Sequence, residues 1–252
     1  MLDSYTVVWS FRNRLEYLKR SIITADETLP KDVKFLLVDA SSDESVIKEL
    51  REFCNKFSDR KIRICETDYR TSLSEAWNLG IMLTDSKHII FSSSDVEFTN
   101  NNWFHKIKHG VNENIKYLLL DNHAVFYINK SIIPIIGWFD EGFKPGPHFD
   151  VDYMIRASEK GVDVHCWDSE GSYKHGHDDV VLESNRMSIS DSDDRVKDRL
   201  PMSDLYNENY FKQKWSSSWN GWRTGHPPTH IRQVSRLNSE IDPHPLYTKK
   251  YL

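Results

Sequence analysis

The chain has 252 residues and a formal net charge of −5, a size that suits one α/β domain with a smaller appendage. The acidic balance and the lack of a basic stripe argue against a nucleic-acid partner. The sequence has no signal-peptide pattern and no apolar stretch long enough for a transmembrane segment, so we expect a cytoplasmic location. Three scattered cysteines, Cys54, Cys65 and Cys166, predict reduced thiols rather than a disulfide framework or a zinc site.

Strand and helix patterns alternate through the first part of the chain. Strands are predicted at 5–9, 33–38, 61–65 and 88–91. Each interval carries apolar residues at helical spacing: Leu15, Leu18, Ile22 and Ile23; Val46, Ile47, Leu50, Phe53 and Phe57; Leu73, Ala76, Trp77, Gly80 and Ile81. This alternation predicts an α/β fold with a mostly parallel central sheet flanked by helices.

Three polar loops follow predicted strands, at 10–14, 39–43 and 92–97. Ligands of open α/β sheets bind beyond the carboxyl ends of the strands. We therefore expect these loops to converge on one binding edge.

The second half of the chain is less regular. We predict a strand over 117–128, a helix over 150–159 and a strand over 162–167, which together extend the sheet into a mixed one. From about Val180 the sequence becomes polar and then aromatic, with Trp215, Trp219 and Trp222. We predict a catalytic domain over 1–180 and an extension over 181–252 packed on it.

Two acidic clusters carry the chemistry. Asp95-Val96-Glu97 follows the strand at 88–91, and Asp150-Val151-Asp152 follows an apolar run that ends near 139. Carboxylate oxygens suit Mg²⁺ or Mn²⁺, and a carboxylate beside a hydroxyl group can act as a base. The two clusters together indicate transfer chemistry on a diphosphate-activated substrate.

Several segments resemble glycosyltransferases with the Rossmann-like, nucleotide-binding GT-A fold. The segment 7–18 is similar to their first strand and loop, and its Phe11-Arg12-Asn13-Arg14 motif is similar to one in β-1,4-galactosyltransferases. The segment 37–43 resembles the Val-Asp-Asp-Gly-Ser pattern of family 2. The segment 74–80 resembles the family helix that begins Ala-Arg-Asn, with Trp77 in place of the arginine.

Two further segments resemble rhamnosyltransferase-like members of family 2. The stretch 91–103 is similar to their metal segment, with Ser93 where many members have an aspartate. The stretch Gly137-Trp138-Phe139-Asp140-Glu141, followed by Asp150, Asp152 and Arg156, is the most specific match. Phe149 departs from the glutamate that is common there. A weaker similarity to a C-terminal family motif covers 209–215.

The resemblance implies a nucleotide-diphospho-sugar donor, a Mn²⁺ or Mg²⁺ ion, and a glycan or glycoconjugate hydroxyl as acceptor. It implies these donor-binding residues: Ser10, Phe11, Arg12, Arg14, Asp39, Asn78 and Ser94. It implies metal binding by Asp95 or Glu97, depending on the register, and by His175 or His177. It makes Asp150 the catalytic base of an inverting transfer, with Trp138, Asp152 and Arg156 supporting the acceptor side or the structure.

Each of these roles has a structural alternative. Asp150 could be a helix N-cap, and Asp152 and Arg156 could form a helical i,i+4 ion pair. Arg12 and Arg14 could lie at an exposed helix start, and the tryptophans from 215 onward could fill a core rather than stack on sugars. The alternative for the whole chain is a catalytically silent relative that binds sugar nucleotides or carbohydrate. A nucleotidyltransferase is disfavoured, because 10–14 has neither a glycine-rich loop nor a lysine.

Overall fold

The computed structural model describes residues 4–121, 123–146, 148–167, 180–182 and 200–215. The strands in chain order are β1 (Tyr5–Phe11), β2 (Lys34–Asp39), β3 (Ile62–Glu66), β4 (His88–Ser93), β5 (Val96–Phe98), β6 (Tyr117–Asp121), β7 (Val125–Asn129), β8 (His165–Cys166) and β9 (Val180–Leu182). The helices are α1 (Leu15–Thr28), α2 (Glu44–Cys54), α3 (Leu73–Leu83), α4 (Asn102–Asn112), α5 (Ile133–Ile136), α6 (Phe149–Glu159) and α7 (Leu200–Lys214). A short 3₁₀ helix, Lys130–Ile132, precedes α5.

A seven-stranded sheet in the order β3-β2-β1-β4-β7-β6-β8 forms the centre of the protein. Strands β1 to β4 are parallel to one another, whereas β7 runs antiparallel to both of its neighbours. Strand β5 pairs separately and antiparallel with β9. The predicted mostly parallel, mixed sheet is confirmed, and the polar loops after β1, β2 and β4 share one edge because these strands run the same way.

Two predictions for the second half of the chain were wrong in detail. The predicted strand over 117–128 is an antiparallel hairpin, β6 and β7, in which Ala124 N donates to Asp121 O across the reversal at 2.9 Å. The apolar sequence conceals the reversal, because buried strands on both sides of a turn read as one apolar run. The predicted strand over 162–167 shortens to the two residues of β8, which pair in parallel with Leu118 and Leu119 of β6.

The sheet is covered on both faces. Alternate residues of β1 face opposite sides: Val7 and Trp9 belong to the core beneath α1, α2 and α4, and Val8 belongs to the core beneath α3, α5 and α6. This alternation follows from the two-residue period of a strand. Because all three side chains are fully buried, β1 is the centre of both cores.

Helix α3 packs unusually close to the sheet. It begins with a capping box in which Glu75 N donates to Ser72 Oγ (3.2 Å) and Ser72 N donates to a Glu75 carboxylate oxygen (2.6 Å). A Cβ atom at Gly80 would lie 2.6 Å from a methyl group of Val8. Glycine is therefore required at position 80 for α3 to lie against β1.

Within the described parts of the chain, none of the helices combines the length and the apolar character needed to cross a lipid bilayer.

Candidate active site

A cleft of about 700 Å³ opens at the carboxyl ends of the parallel strands. Its lining comes from the end of β1 and the loop after it, from α1 and α2, from the residues before α3, and from the segment before α6. The lining includes Ser10, Phe11, Arg12, Arg14, Ala40, Arg70, Thr71, Ser94 and Gly146. It also includes Glu16 and Glu49, whose carboxylates are both paired with Lys19. The cleft lies where ligands of open α/β sheets bind.

The loop between β1 and α1 has an uncommon backbone. Asn13 and Arg14 both have positive φ angles, 54° and 48°. Asparagine adopts this left-handed conformation readily, whereas arginine seldom does. The loop is held by the β2–α2 loop, because Asn13 N donates to Ser42 Oγ (2.7 Å) and Asp43 N donates to Asn13 Oδ1 (3.0 Å). This pairing orients the start of α1 and its neighbouring guanidinium groups toward the cleft.

Arg12, Arg14 and Arg70 give this cleft its cationic groups. Arg12 Nε donates to Ser41 O at 3.4 Å, which ties its guanidinium to the β2–α2 loop. The first turn of α1 adds backbone N–H groups that have no partner within the helix. Guanidinium groups beside a helix N-terminus favour an anionic ligand such as a diphosphate.

Asp39 lies beneath the cleft and is 2 % exposed. Its carboxylate accepts hydrogen bonds from Ser42 N (3.1 and 3.0 Å) and from Ser42 Oγ. Burial raises the pKa of Asp39, although the hydrogen bonds from Ser42 oppose the shift. The carboxylate shapes the β2–α2 loop, whose Ala40 reaches the cleft lining.

The acidic turn after β4 reaches the same cleft. Ser94 lines the cleft, and Asp95 shares its turn. Glu97 lies on β5 between the buried Val96 and Phe98, and its Oε1 is 3.2 Å from Arg20 Nη1 of α1. Glu97 thus has a cationic partner within the protein.

In the described ranges, no group of three or more His, Cys, Asp or Glu side chains could hold a metal ion. His175 and His177 lie outside the described residues.

Asp150 lies in the first turn of α6 and is 5 % exposed. The N-cap of this helix is His148, with φ 86°, so the N-cap alternative for Asp150 was wrong. Asp150 Oδ1 accepts from its neighbour Val151 N at 2.9 Å. Burial raises the pKa of Asp150 to about 6 against the opposing effect of backbone hydrogen bonds. Its carboxylate is not among the groups that line the cleft, and it lies on the helix that follows the lining residue Gly146.

Sequence reasoning missed two side chains behind Asp150. His123, in the β6–β7 turn, places Nδ1 3.7 Å from Asp150 Oδ2. Its Nε2 lies 2.5 Å from the hydroxyl oxygen of Tyr117. Burial lowers the pKa of His123 to about 3, so the imidazole is neutral at physiological pH. Both residues lay inside one predicted strand, so the sequence carried no signal that they meet.

A buried charge cluster supports α6 from the side of α7. The predicted pair is present, with Arg156 Nε 2.9 Å from Asp152 Oδ2. Lys214 Nζ contacts both Asp152 Oδ1 (2.5 Å) and Asp140 Oδ2 (2.6 Å). Burial alone would raise the pKa of Asp152, but the charges and hydrogen bonds of Lys214 and Arg156 outweigh it and lower the pKa. Trp215 Nε1 donates to Asp152 Oδ1 at 3.0 Å, and the ring is 1 % exposed, as the core alternative for this tryptophan predicted.

The structure does not bring Asn78 to the cleft lining. Asn78 is fully buried in α3; its Nδ2 donates to Phe139 O (2.9 Å) and Glu141 Oε1 (2.8 Å), and its Oδ1 accepts from Phe139 N (2.9 Å). It therefore clamps the segment that leads to Asp150. Trp138 lies half-buried against the same core. Trp77, which stands where the family has arginine, packs its ring against Phe139 at 5.0 Å.

The sheet and the cleft at its carboxyl edge define the class of protein as a nucleotide-binding α/β fold of the GT-A type. The family model of glycosyl transferase family 2 matches residues 6–139, more than half of the chain. The chain belongs to glycosyl transferase family 2.

Solved glycosyltransferase structures share the fold at low identity. A mannosyltransferase from Pyrobaculum calidifontis, in complex with GDP-Man and Mn²⁺, is 11% identical with a TM-score of 0.58, over 64% of this chain and 54% of that one. TarS (1–349) of S. aureus is 12% identical with a TM-score of 0.56, over 91% of this chain and 77% of that one. GalNAc-T7 with UDP, GalNAc and Mn²⁺ is 13% identical with a TM-score of 0.51, over 62% and 40%. This chain thus spans about half of the mannosyltransferase, and no curated protein matches its sequence.

Proposed function

We propose that this protein is a metal-dependent, inverting glycosyltransferase. It transfers a sugar from a nucleotide-diphospho-sugar donor to a hydroxyl group of a glycan or glycoconjugate. The observation that carries the proposal is the cleft at the carboxyl edge of the sheet, in which the guanidinium groups of Arg12 and Arg14 lie with Ser94 of the acidic turn. Membership of glycosyl transferase family 2 supports the reaction class.

The donor diphosphate binds against Arg12, Arg14 and the first turn of α1. A guanidinium group donates two parallel hydrogen bonds to phosphate oxygens, and the helix dipole adds a favourable field. Ser10, Phe11 and the loop shaped by Asp39 contact the nucleoside. Asn78 does not contact the donor, because its amide is hydrogen-bonded to Phe139 and Glu141; it holds the segment that leads to Asp150.

A Mn²⁺ or Mg²⁺ ion would be held at the acidic turn by Asp95. Ions of this kind commonly use one or two protein carboxylates together with substrate phosphates, which fits the few carboxylates at this turn. Glu97, paired with Arg20, is the less favourable first ligand. His175 or His177 is a further candidate ligand. When bound, the ion stabilises the negative charge that develops on the departing diphosphate.

Asp150 is the general base. Its carboxylate accepts the proton of the acceptor hydroxyl group as the acceptor oxygen bonds to the anomeric carbon. The bond from that carbon to the diphosphate oxygen breaks on the opposite face, which inverts the configuration. A pKa near 6 keeps Asp150 ionised at neutral pH yet more basic than an ordinary aspartate, as general-base catalysis favours.

The first test is thermal unfolding with UDP-, GDP- and dTDP-sugars, each with and without Mn²⁺. A ligand that binds only the native state raises the melting temperature. We expect one nucleotide to raise it in a Mn²⁺-dependent manner. Failure of the whole panel, with the protein folded, would overturn the donor site.

The second test is transfer by the wild type and by Asp150→Asn, using the donor that the first test identifies. We expect Asp150→Asn to retain the donor-induced shift but to lose transfer by at least about a hundredfold. Donor binding without transfer by the wild type, across an acceptor panel, would favour the silent binding relative.

A further inference from the structure

Tyr117 and His123 lie behind Asp150, and any part that they play in the reaction rests on the proposed role of Asp150 as base. Tyr117 is fully buried on β6, and His123 is 9 % exposed in the turn that follows. The two rings belong to different elements from Asp150, yet all three side chains meet in one buried row. A row of polar groups in a core is costly unless its members are hydrogen-bonded to one another.

Aromatic rings pack against His123, and the buried Asp121 is its neighbour in the β6–β7 turn. The imidazole ring packs against Phe126 with the ring centroids 4.9 Å apart and stacks toward Trp77 at 6.1 Å. A phenylalanine or leucine would suit such a site by packing alone. An imidazole here gains from the polar groups at its two nitrogens, Tyr117 and Asp150.

The chemistry of those two groups selects one tautomer. The phenol of Tyr117 has its pKa raised by burial, so it keeps its proton, which can be donated to His123 Nε2. With Nε2 accepting, the neutral imidazole carries its proton on Nδ1, the nitrogen that faces Asp150 Oδ2. The other tautomer would direct the Nδ1 lone pair at the carboxylate and leave the phenol proton unused.

We propose that Tyr117 and His123 are positioning residues for the catalytic base: Tyr117 fixes the imidazole tautomer, and the Nδ1–H of His123 orients and stabilises the Asp150 carboxylate. The separation of 3.7 Å is longer than a hydrogen bond. Catalytic hydrogen bonds are often long without substrate and shorten in the reactive complex. A donor at this position favours the ionised carboxylate.

Other ionisable groups face this row, and the variants described below leave them unchanged. Tyr153 and Arg156 of α6 and Cys166 of β8 act on Tyr117, and Asp152 acts on Asp150. These groups stay in place in variants of positions 117 and 123, so a change in the pH profile reports on the row itself.

The first experiment measures the tautomer directly and needs no substrate. In ¹⁵N-labelled protein at pH 7.5, the His123 signals are assigned by their loss in His123→Asn, which separates them from the other histidines. We expect a protonated Nδ1 and an unprotonated Nε2. A protonated Nε2 in the folded wild type would overturn the proposal, whatever the activity.

The second experiment compares kcat and its acid limb in a matched set of variants. His123→Phe keeps a ring but removes both nitrogens, and we expect kcat to fall about 10- to 100-fold with donor KM little changed, in the range of a lost catalytic hydrogen bond. Its acid limb should move to higher pH. Tyr117→Phe should also lower kcat and move the acid limb to higher pH, but by less than His123→Phe does.

His123→Asn supplies the rescue, because its amide Nδ2 can occupy the place of the imidazole Nδ1 and still donate to Asp150. We expect it to recover most of the kcat and the acid limb that His123→Phe loses, whereas His123→Gln should not. Wild-type kcat and acid limb in a folded His123→Phe would reject the positioning role. Asp150→Asn is assayed alongside. If that variant transfers sugar normally, the assignment of Asp150 as base is wrong, and this outcome is distinct from a failure of the positioning role of His123.

Discussion

Lys214 Nζ lies 2.5 Å from Asp152 Oδ1, and neither side chain has any exposure to solvent. The contact joins the last residue of α7 to the helix that carries Asp150. A second contact, 2.6 Å to Asp140, extends the junction to the family segment before α6. One ammonium group is thus shared by two buried carboxylates, and Arg156 beside Asp152 supplies the second positive charge.

Lys214→Met should therefore be strongly destabilising, since it leaves two buried carboxylates with too little positive charge. We expect the free energy of unfolding to fall by about 3–5 kcal/mol, as for other buried pairs that lose one partner. Denaturant unfolding measures it. The matched control is Lys212→Met on the same helix, which removes an exposed ion pair with Glu208; its effect should stay within about 0.5 kcal/mol. Equal effects of the two substitutions would contradict the account.

Asn78→Ala should reduce stability without altering the donor site. The substitution removes the two hydrogen bonds that the Asn78 side chain makes with the backbone N–H and C=O of Phe139. A buried polar group that loses its partner costs about 1–3 kcal/mol. Below its melting transition, the variant should bind the donor with wild-type affinity by calorimetry. Asn55→Ala, at an exposed position, is the control. A large loss of donor affinity with unchanged stability would restore the nucleotide-binding role implied by the resemblance.

Asp150→Asn should become more stable than the wild type as the pH rises. The folded pKa of Asp150 is raised from 3.8 to about 6, so ionising this group favours unfolding. Its contribution to stability is present below about pH 4 and is lost as the pH rises through about 6. The variant does not titrate, so its advantage should grow over this window to about 1–3 kcal/mol, from about 1.4 kcal/mol per pKa unit.

Urea unfolding at several pH values between about 4 and 8 measures this difference. Asp152→Asn is the contrasting variant, because the pKa of Asp152 is lowered by Lys214 and Arg156. It should be destabilised at neutral pH and approach the wild type as acid protonates the wild-type carboxylate. A pH-independent difference for Asp150→Asn would refute the raised pKa.

Asp95→Ala and Glu97→Ala should separate the two registers of the metal segment. If Asp95 holds the ion, Asp95→Ala should abolish the Mn²⁺-dependent part of the melting shift caused by a nucleoside diphosphate. Glu97→Ala should retain most of that shift, because its carboxylate is paired with Arg20. The reverse result would favour the register similar to β-1,4-galactosyltransferases.

The first half of the fold was predictable because its strands and helices carry strong, separate periodicities. Buried strands such as β2 read as apolar runs, and the apolar face of α2 appears as Ile47, Leu50 and Phe53. The convergence of the loops on one edge followed from the parallel order alone. Helix α4 was not predicted, although its buried residues, Trp103, Phe104, Ile107 and Gly110, have the spacing of one helical face.

Much of the site's support could not be read from the sequence, because it depends on contacts between distant residues. A lysine is normally expected at the surface, and Lys214 is buried because Asp140, 74 positions earlier, and Asp152 both contact it. Asn78 fits a family motif, yet its partners lie in the segment at Phe139 and Glu141. The row behind Asp150 arises from a turn hidden within one apolar run.

The junction at Lys214 also decides when, during synthesis of the chain, the packing of α6 can be completed. The ribosome makes β1 to β4 and helices α1 to α3 first, and those elements can pair and pack as they emerge. Asp140 and Asp152 must wait, with their carboxylates unneutralised by Lys214, until residue 214 has left the exit tunnel. The helix that bears the proposed base therefore acquires its final setting only when α7 docks, and a nascent chain stalled before that point should engage holding chaperones through the uncovered α6 face.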